Sequence, residues 1–214
     1  MEESTSREKI LNKIRNALIA KRDIPYPDTD HDSPVFLPME EGPEVNFAQE
    51  FNRVGGKFIY CEDHAEFGEN LAILIRDNGW TDLVAADPKV TDLLDKCGIS
   101  YVSGKEKLKS AKVGITHCEF LVSRLGSIMV SSAQLSGRRM FAFPETHIVV
   151  AFTSQLVPDI RDALRELRKK YEKKMPSMVT LITGPSRTAD IEKTLVMGAH
   201  GPKDLYLFLL EDQN

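Results

Sequence analysis

A chain of 214 residues with a hydrophobic fraction of 42%, a charged fraction of 28% and a formal net charge of −4 has the composition of an ordinary globular protein with a sizeable core. That balance gives no basic signature of a nucleic-acid binder, and no window approaches the roughly 18 continuous apolar residues of a membrane span. The N-terminus has no apolar signal core, so a cytoplasmic protein is expected.

Residues Ser6 to Ala20 place Ile10, Leu11, Ile14 and Leu18 at helical spacing, with Lys9, Lys13 and Arg15 among them. This predicts an amphipathic helix that docks on its own core, a second copy or a partner. Pro25, Pro27, Pro34, Pro38 and Pro43 then make residues 23–45 an extended, helix-poor arm. The expected division is therefore residues 1–45, helix and arm, and residues 46–214, one folded domain.

From Asn46 the pattern alternates. A helix is predicted around Phe47 to Val54, a strand at Lys57 to Cys61, a helix from Ala65 to Asn78 and a strand at Asp82 to Ala86. Asp87-Pro88 opens another helix that Gly98 ends, and Ile99 to Val102 resumes as a strand. Such βαβα order implies a mainly parallel sheet with helical cover. The segment Gly114 to Gly126 is read as able to hold a short helix. Ser127 to Ser131 and His147 to Phe152 read as strands, joined through the polar turn Ser132 to Met140, a hairpin or a lid. Pro158 starts a helix through Ile160, Leu164, Leu167 and Tyr171, whose basic end complements the helix dipole.

The richest polar stretch follows. Met178 to Ile182 reads as an interior strand ended by Gly184-Pro185, and Ser186 can cap a new helix. Backbone N–H groups at such a helix start attract carboxylate or phosphate, and Arg187 could add a forked donor. The expected ligand-binding residues are Gly184, Pro185, Ser186, Arg187, Thr188 and Asp190, joined by His200 and Gly201 from the turn before the last apolar run, Leu205 to Leu210. The two turns are expected to meet at the carboxyl edge of the sheet, where open α/β folds bind ligands. The plainer alternative makes Ser186 a cap, Arg187 a solvated charge and Gly201-Pro202 a turn. Cys61, Cys97 and Cys118 are far apart and form neither a CxxC pair nor an iron–sulfur spacing. No metal and no cofactor are expected in this chain.

The combination Gly126-Ser-Ile-Met-Val130, Gly137-Arg-Arg139, Pro144-Glu-Thr-His-Ile148, Thr183-Gly-Pro-Ser-Arg-Thr-Ala-Asp-Ile-Glu192 and His200-Gly-Pro202 resembles the lactate-utilization LUD family, specifically its small LutC-like members. The N-terminal Arg7-Glu-Lys-Ile-Leu-Asn-Lys-Ile14 is similar as well. The resemblance implies a fold of the NagB, ribose-phosphate isomerase and CoA-transferase type. It also implies participation in L-lactate oxidation to pyruvate, with the iron–sulfur clusters on separate partner subunits. One departure stands out: the family's acidic-Thr-Gly turn is replaced by Arg124-Leu125-Gly126, so no carboxylate is carried over to that position.

No Ser-His-Asp set or nucleotide-binding glycine fingerprint is present. The candidates for a catalytic acid or base are Glu119, Glu145, Asp190 and His200, whereas His147, at the start of an apolar strand, reads as a hydrogen-bonded structural histidine. The expected function is a non-cluster subunit of a lactate-oxidising system that binds an anionic metabolite or organises iron–sulfur partners. The alternatives are a stand-alone enzyme on a sugar phosphate or acyl thioester, and a regulatory protein with a degenerate pocket.

Overall fold

The computed structural model describes residues 5–19, 28, 30, 36, 38–103, 112–191 and 194–212, with only the backbone at 189–191 and 194–195. Most of the proline-rich stretch 23–45 lies outside the described residues. The chain divides into two units, Met1–Pro38 and Met39–Asn214.

The first unit holds helix α1, Ser6–Ile19. Thr5 and Glu8 form a capping box: the Glu8 N–H donates to Thr5 Oγ1 at 3.3 Å, and the Thr5 N–H donates back to Glu8 Oε2 at 2.8 Å. No α1 side chain is buried.

The second unit is built on six parallel strands in the order β1 (Lys57–Cys61), β12 (Asp204–Leu210), β7 (Thr146–Phe152), β4 (Val113–His117), β2 (Leu83–Ala85) and β3 (Val102–Ser103). The open parallel sheet is as expected, and its central strands are apolar on both faces because both are covered. Side chains alternate between two cores. Ile148, Val150 and Phe208 meet Phe67, Leu71 and Leu94 from helices α3 (His64–Asn78) and α4 (Pro88–Lys96). Val149, Leu207 and Leu209 meet Phe47 and Phe51 of α2 (Pro43–Arg53), with Leu121 and Ile128 of a second sheet. That sheet has the order β8 (Leu156–Val157), β5 (Phe120–Val122), β6 (Ser127–Ser131) and β9 (Val179–Ile182), and α6 (Ile160–Lys170) covers its far side with Ala163 and Leu167.

Local signals explain the helix boundaries. Asp63 and Asp87 cap α3 and α4, accepting from the N–H groups of Glu66 at 2.8 Å and Lys89 at 3.1 Å, and left-handed Gly79 follows α3. The helix opening at Pro158 starts two residues later, with Asp159 as its cap.

Three expectations are corrected. Gly114 to Gly126 contains no α-helix; it forms β4, β5 and a 3-10 turn, Ser123–Leu125, closed by left-handed Gly126 at φ 55°. Residues 113–119 are all buried, and a strand buried on both faces loses the alternation that would distinguish it from a helix. Second, Val179–Ile182 is a strand, but an edge one, paired among the described residues to β6 alone and partly exposed. Third, no helix follows Ser186: Arg187–Ile191 (β10) and Thr194–Met197 (β11) pair as an antiparallel hairpin. Among the described residues, no helix is long and apolar enough to cross a membrane.

Candidate functional site

The two polar turns singled out by the sequence do meet, through backbone. The Ser186 N–H donates to the Pro202 carbonyl at 2.8 Å, and the Gly198 N–H donates to the Ser186 carbonyl at 2.9 Å. A Cβ on Gly201 would lie 3.1 Å from the Ser186 Cβ. This closeness corrects the chemistry expected of Ser186: a strand and not a helix follows it, so there is no helix dipole, and its N–H is already used. Gly184 sits at φ 79°, with Val54 O 2.3 Å from where a Cβ would stand, so this approach is open to glycine alone.

Arg187 lies against Gly55, its Nη2 donating to the Val54 carbonyl at 2.5 Å. That bond ties the hairpin to the turn between α2 and β1. Thr188 pairs with Val196 across the hairpin, and the Asp190 side chain lies outside the described residues. Replacing Arg187 with Ala is expected to lower stability by about 1 kcal/mol, since the exposed guanidinium makes one such bond. Chemical denaturation measures this, and titrating the variant with sulfate separates structural service from anion binding.

Beside the junction lies a cleft of about 680 Å³. One wall is Phe143, Pro144 and Glu145, and the other runs from Met197 through His200 and Gly201 to Lys203. Its two sides are stitched by the N–H groups of Lys203 and Asp204, which donate to the Glu145 carbonyl at 2.7 and 3.2 Å. The structure thus brings Glu145, His200 and Gly201 together; Gly184, Pro185, Arg187 and Thr188 do not line the cleft. Its position differs from the expected one. Glu145 precedes β7 and Lys203 precedes β12, so the cleft lies at the amino ends of the strands, because the chain reaches both strands through these turns.

Glu119 lies elsewhere, just past the carboxyl end of β4, and is 2% exposed. Its Oε1 accepts from Ser131 Oγ at 2.6 Å and Tyr171 Oη at 2.8 Å, and its Oε2 from Lys170 Nζ at 2.6 Å. Burial works against ionisation, but these donors overcome it and hold the carboxyl below its ordinary pKa. With both oxygens engaged, Glu119 anchors the end of α6 to the second sheet. Arg124, standing where the family's acidic residue was expected, bonds Asp159 Oδ2 through Nε at 3.1 Å and so fastens the start of the same helix.

Sequence reasoning passed over the other polar groups of the carboxyl edge, His117, Asp87 and Lys89. His117 fell inside the segment read as a possible helix. Its signal was a histidine ending a run of strand-forming residues, Val113-Gly-Ile-Thr116. Among the described residues, no three His, Cys, Asp or Glu side chains converge as a metal site. Cys61, Cys97 and Cys118 are unpaired thiols, and burial raises the pKa of each.

Sequence comparison finds relatives named lactate utilization protein C. The protein from Halalkalibacterium halodurans is 34% identical over 110 residues, 50% of this chain and 48% of the relative. That from Bacillus subtilis is 35% identical over 115 residues, 51% and 48% respectively, so the chain spans about half the length of these relatives. The one from Geobacillus thermodenitrificans is 29% identical over 168 residues, 77% of this chain and 67% of that one. A crystal structure of a DUF162 family protein from Deinococcus radiodurans shares the fold, with a TM-score of 0.61 and 18% identity, covering 78% of this chain and 96% of that one. Residues 45–210 match the model of the LUD domain, so this chain belongs to the LUD domain family.

Proposed function

We propose that the chain is a non-cluster subunit of an L-lactate utilization system in the cytoplasm, binding an anionic metabolite or organising partner subunits that carry iron–sulfur clusters. The observation that carries this reading is the LUD match over residues 45–210, shared with relatives named for lactate utilization. The chain's own chemistry fits a non-redox role. Its three cysteines offer no spacing for a cluster, and burial raises their thiol pKa values, disfavouring the thiolates that metals bind. The cleft pairs exposed Phe143 and Met197 with the nitrogen groups of His200 and Lys203, a lining suited to an anion or an acidic partner segment.

Deleting the gene is expected to abolish growth on L-lactate as sole carbon source, with growth restored by the full chain. The purified chain is expected to hold no stoichiometric iron and to leave lactate unoxidised with a dye acceptor. Undiminished growth of the deletion strain overturns the pathway assignment. Turnover by the isolated chain overturns the non-redox role and favours a stand-alone enzyme.

A further inference from the structure

Helix α1 carries an apolar stripe that nothing in the single chain covers. Ile10, Ile14 and Leu18 recur every fourth residue with Leu11 beside them; none is buried, and Leu18 is 76% exposed. With 3.6 residues per turn, Lys13 and Arg15 fall on the two margins of that stripe. The helix holds four cations, Arg7, Lys9, Lys13 and Arg15, against one acid, Glu8, which is engaged by Thr5. Such a face is at rest only against another apolar surface, and its basic margins select one rimmed by acids.

The second unit offers that surface. Along α2, Val45, Ala48, Gln49 and Asn52 share one side of the helix by their spacing. Beside them stand Phe58 and Tyr60 of β1, alternate residues that point to the same side of the sheet. With Glu44 these residues line an open groove of about 320 Å³. Val45 is 47% exposed, because the opposite side of α2, with Phe47 and Phe51, is the one that enters the core. β1 is an outer strand of its sheet, so among the described residues no further strand closes the groove.

Length and charge both fit α1. At 1.5 Å per residue the stripe from Ile10 to Leu18 rises about 12 Å, and the groove side of α2 from Val45 to Asn52 about 10 Å. Glu44 lines the groove, and Glu40 and Glu41 are exposed just before α2; none of the three makes a salt bridge among the described residues. Tyr60 Oη donates to a further acid, Glu211. The neighbouring cations are already paired, Arg53 with Glu50 and Lys57 with Asp204. Packing α1 against α1 of another molecule would set basic margins against each other, whereas the groove sets them against acids.

We propose that α1 of a second copy lies in the α2–β1 groove, its stripe on Val45, Ala48, Phe58 and Tyr60 and its basic margins toward Glu44 and the acids beside it. The exchange is reciprocal and closes a two-fold dimer, an amphipathic helix in a groove on each side. Residues 20–42 join α1 to α2, and a segment that spans up to about 3.3 Å per residue reaches a second molecule.

Light scattering of the full chain is expected to give twice the mass of one chain. Ile14→Glu, which keeps helix propensity, and Val45→Asp, on an exposed side chain, are each expected to give a monomer with the circular dichroism of the parent. Mixed together, these two variants are expected to form a heterodimer, since the first keeps an intact groove and the second an intact α1. Glu41→Lys with Glu44→Lys weakens the parent dimer by about tenfold or more, as like charges then meet, and adding Lys9→Glu and Lys13→Glu to the same chain restores it. A monomeric parent chain overturns the proposal, whether α1 then packs on its own chain or on a different partner. So does a dimer that persists in Val45→Asp, which would place α1 against α1, or a mixture of the two variants that stays monomeric.

Discussion

Gly126→Ala is expected to destabilise the protein by about 3 to 5 kcal/mol, combining the strain of a left-handed non-glycine residue with overlap in a packed interior. Gly126 sits at φ 55°, ψ 40°, where the 3-10 turn from Ser123 closes into β6. A Cβ there would stand 2.2 Å from Phe51 N and 2.4 Å from Glu50 C. Those atoms are backbone, so no rotamer change relieves the contact. The last turn of α2 has to move, and it carries Phe51, fully buried and stacked on Phe47 with centroids 5.4 Å apart. A melting temperature lower by about 10 °C or more is the expected reading in calorimetry. A loss of only a degree or two would show that α2 shifts freely, and that this turn does not set the spacing between α2 and the second sheet.

The same turn marks the boundary of what sequence reading reaches. Where local chemistry decides, the elements were legible: the helix opened by Asp87-Pro88 and ended at Gly98, and the apolar run Leu205 to Leu210 as a buried strand, stand where expected. Local chemistry failed where two outcomes share one signature. Gly184-Pro185-Ser186 is as good an entry to a hairpin as to a helix. What decides for the hairpin is tertiary: Ser186 is bonded to Pro202 and Gly198, and Arg187 reaches the α2–β1 turn. Residues 113–117 were ambiguous for a different reason, burial on both faces.

The site was legible in its parts and misplaced in the sheet. Glu145, His200 and Gly201 were named and do share a cleft, because turns rich in glycine and proline leave polar groups exposed. That the cleft faces the amino ends follows from both turns preceding their strands; that the two turns are neighbours depends on strand order, which sets β12 beside β7 and which no local pattern encodes. His117 went unnoticed because its placement is topological. It stands where the connections from β2 and β4 part to opposite faces.

Acid is expected to destabilise the protein through His147 well before its carboxylates are protonated. His147 is fully buried, its Nε2 2.8 Å from Thr116 Oγ1 and its Nδ1 without a partner among the described residues. Burial lowers its pKa from 6.5 to about 4. Above pH 6.5 the ring is neutral in both folded and unfolded chains, and stability is at its full value. As pH falls from 6.5 toward 4 the unfolded chain takes up a proton that the native core refuses, so stability declines, levelling once both states are protonated. At 1.36 kcal/mol per pKa unit, the depression amounts to about 3 kcal/mol. His117, also lowered by burial, adds in the same direction, whereas Glu119, whose folded pKa is depressed, contributes stability that is lost only below its ordinary 4.5. Denaturant unfolding of the parent chain and of His147→Gln at pH 7, 5.5 and 4 isolates the residue, because glutamine can keep a bond to Thr116 without titrating. The difference in stability between the two proteins should change by about 3 kcal/mol across that range, in favour of the variant at low pH. Parallel curves would mean that His147 accepts its proton in the folded state, with a water or a shift of the Phe141 side chain supplying what Nδ1 lacks.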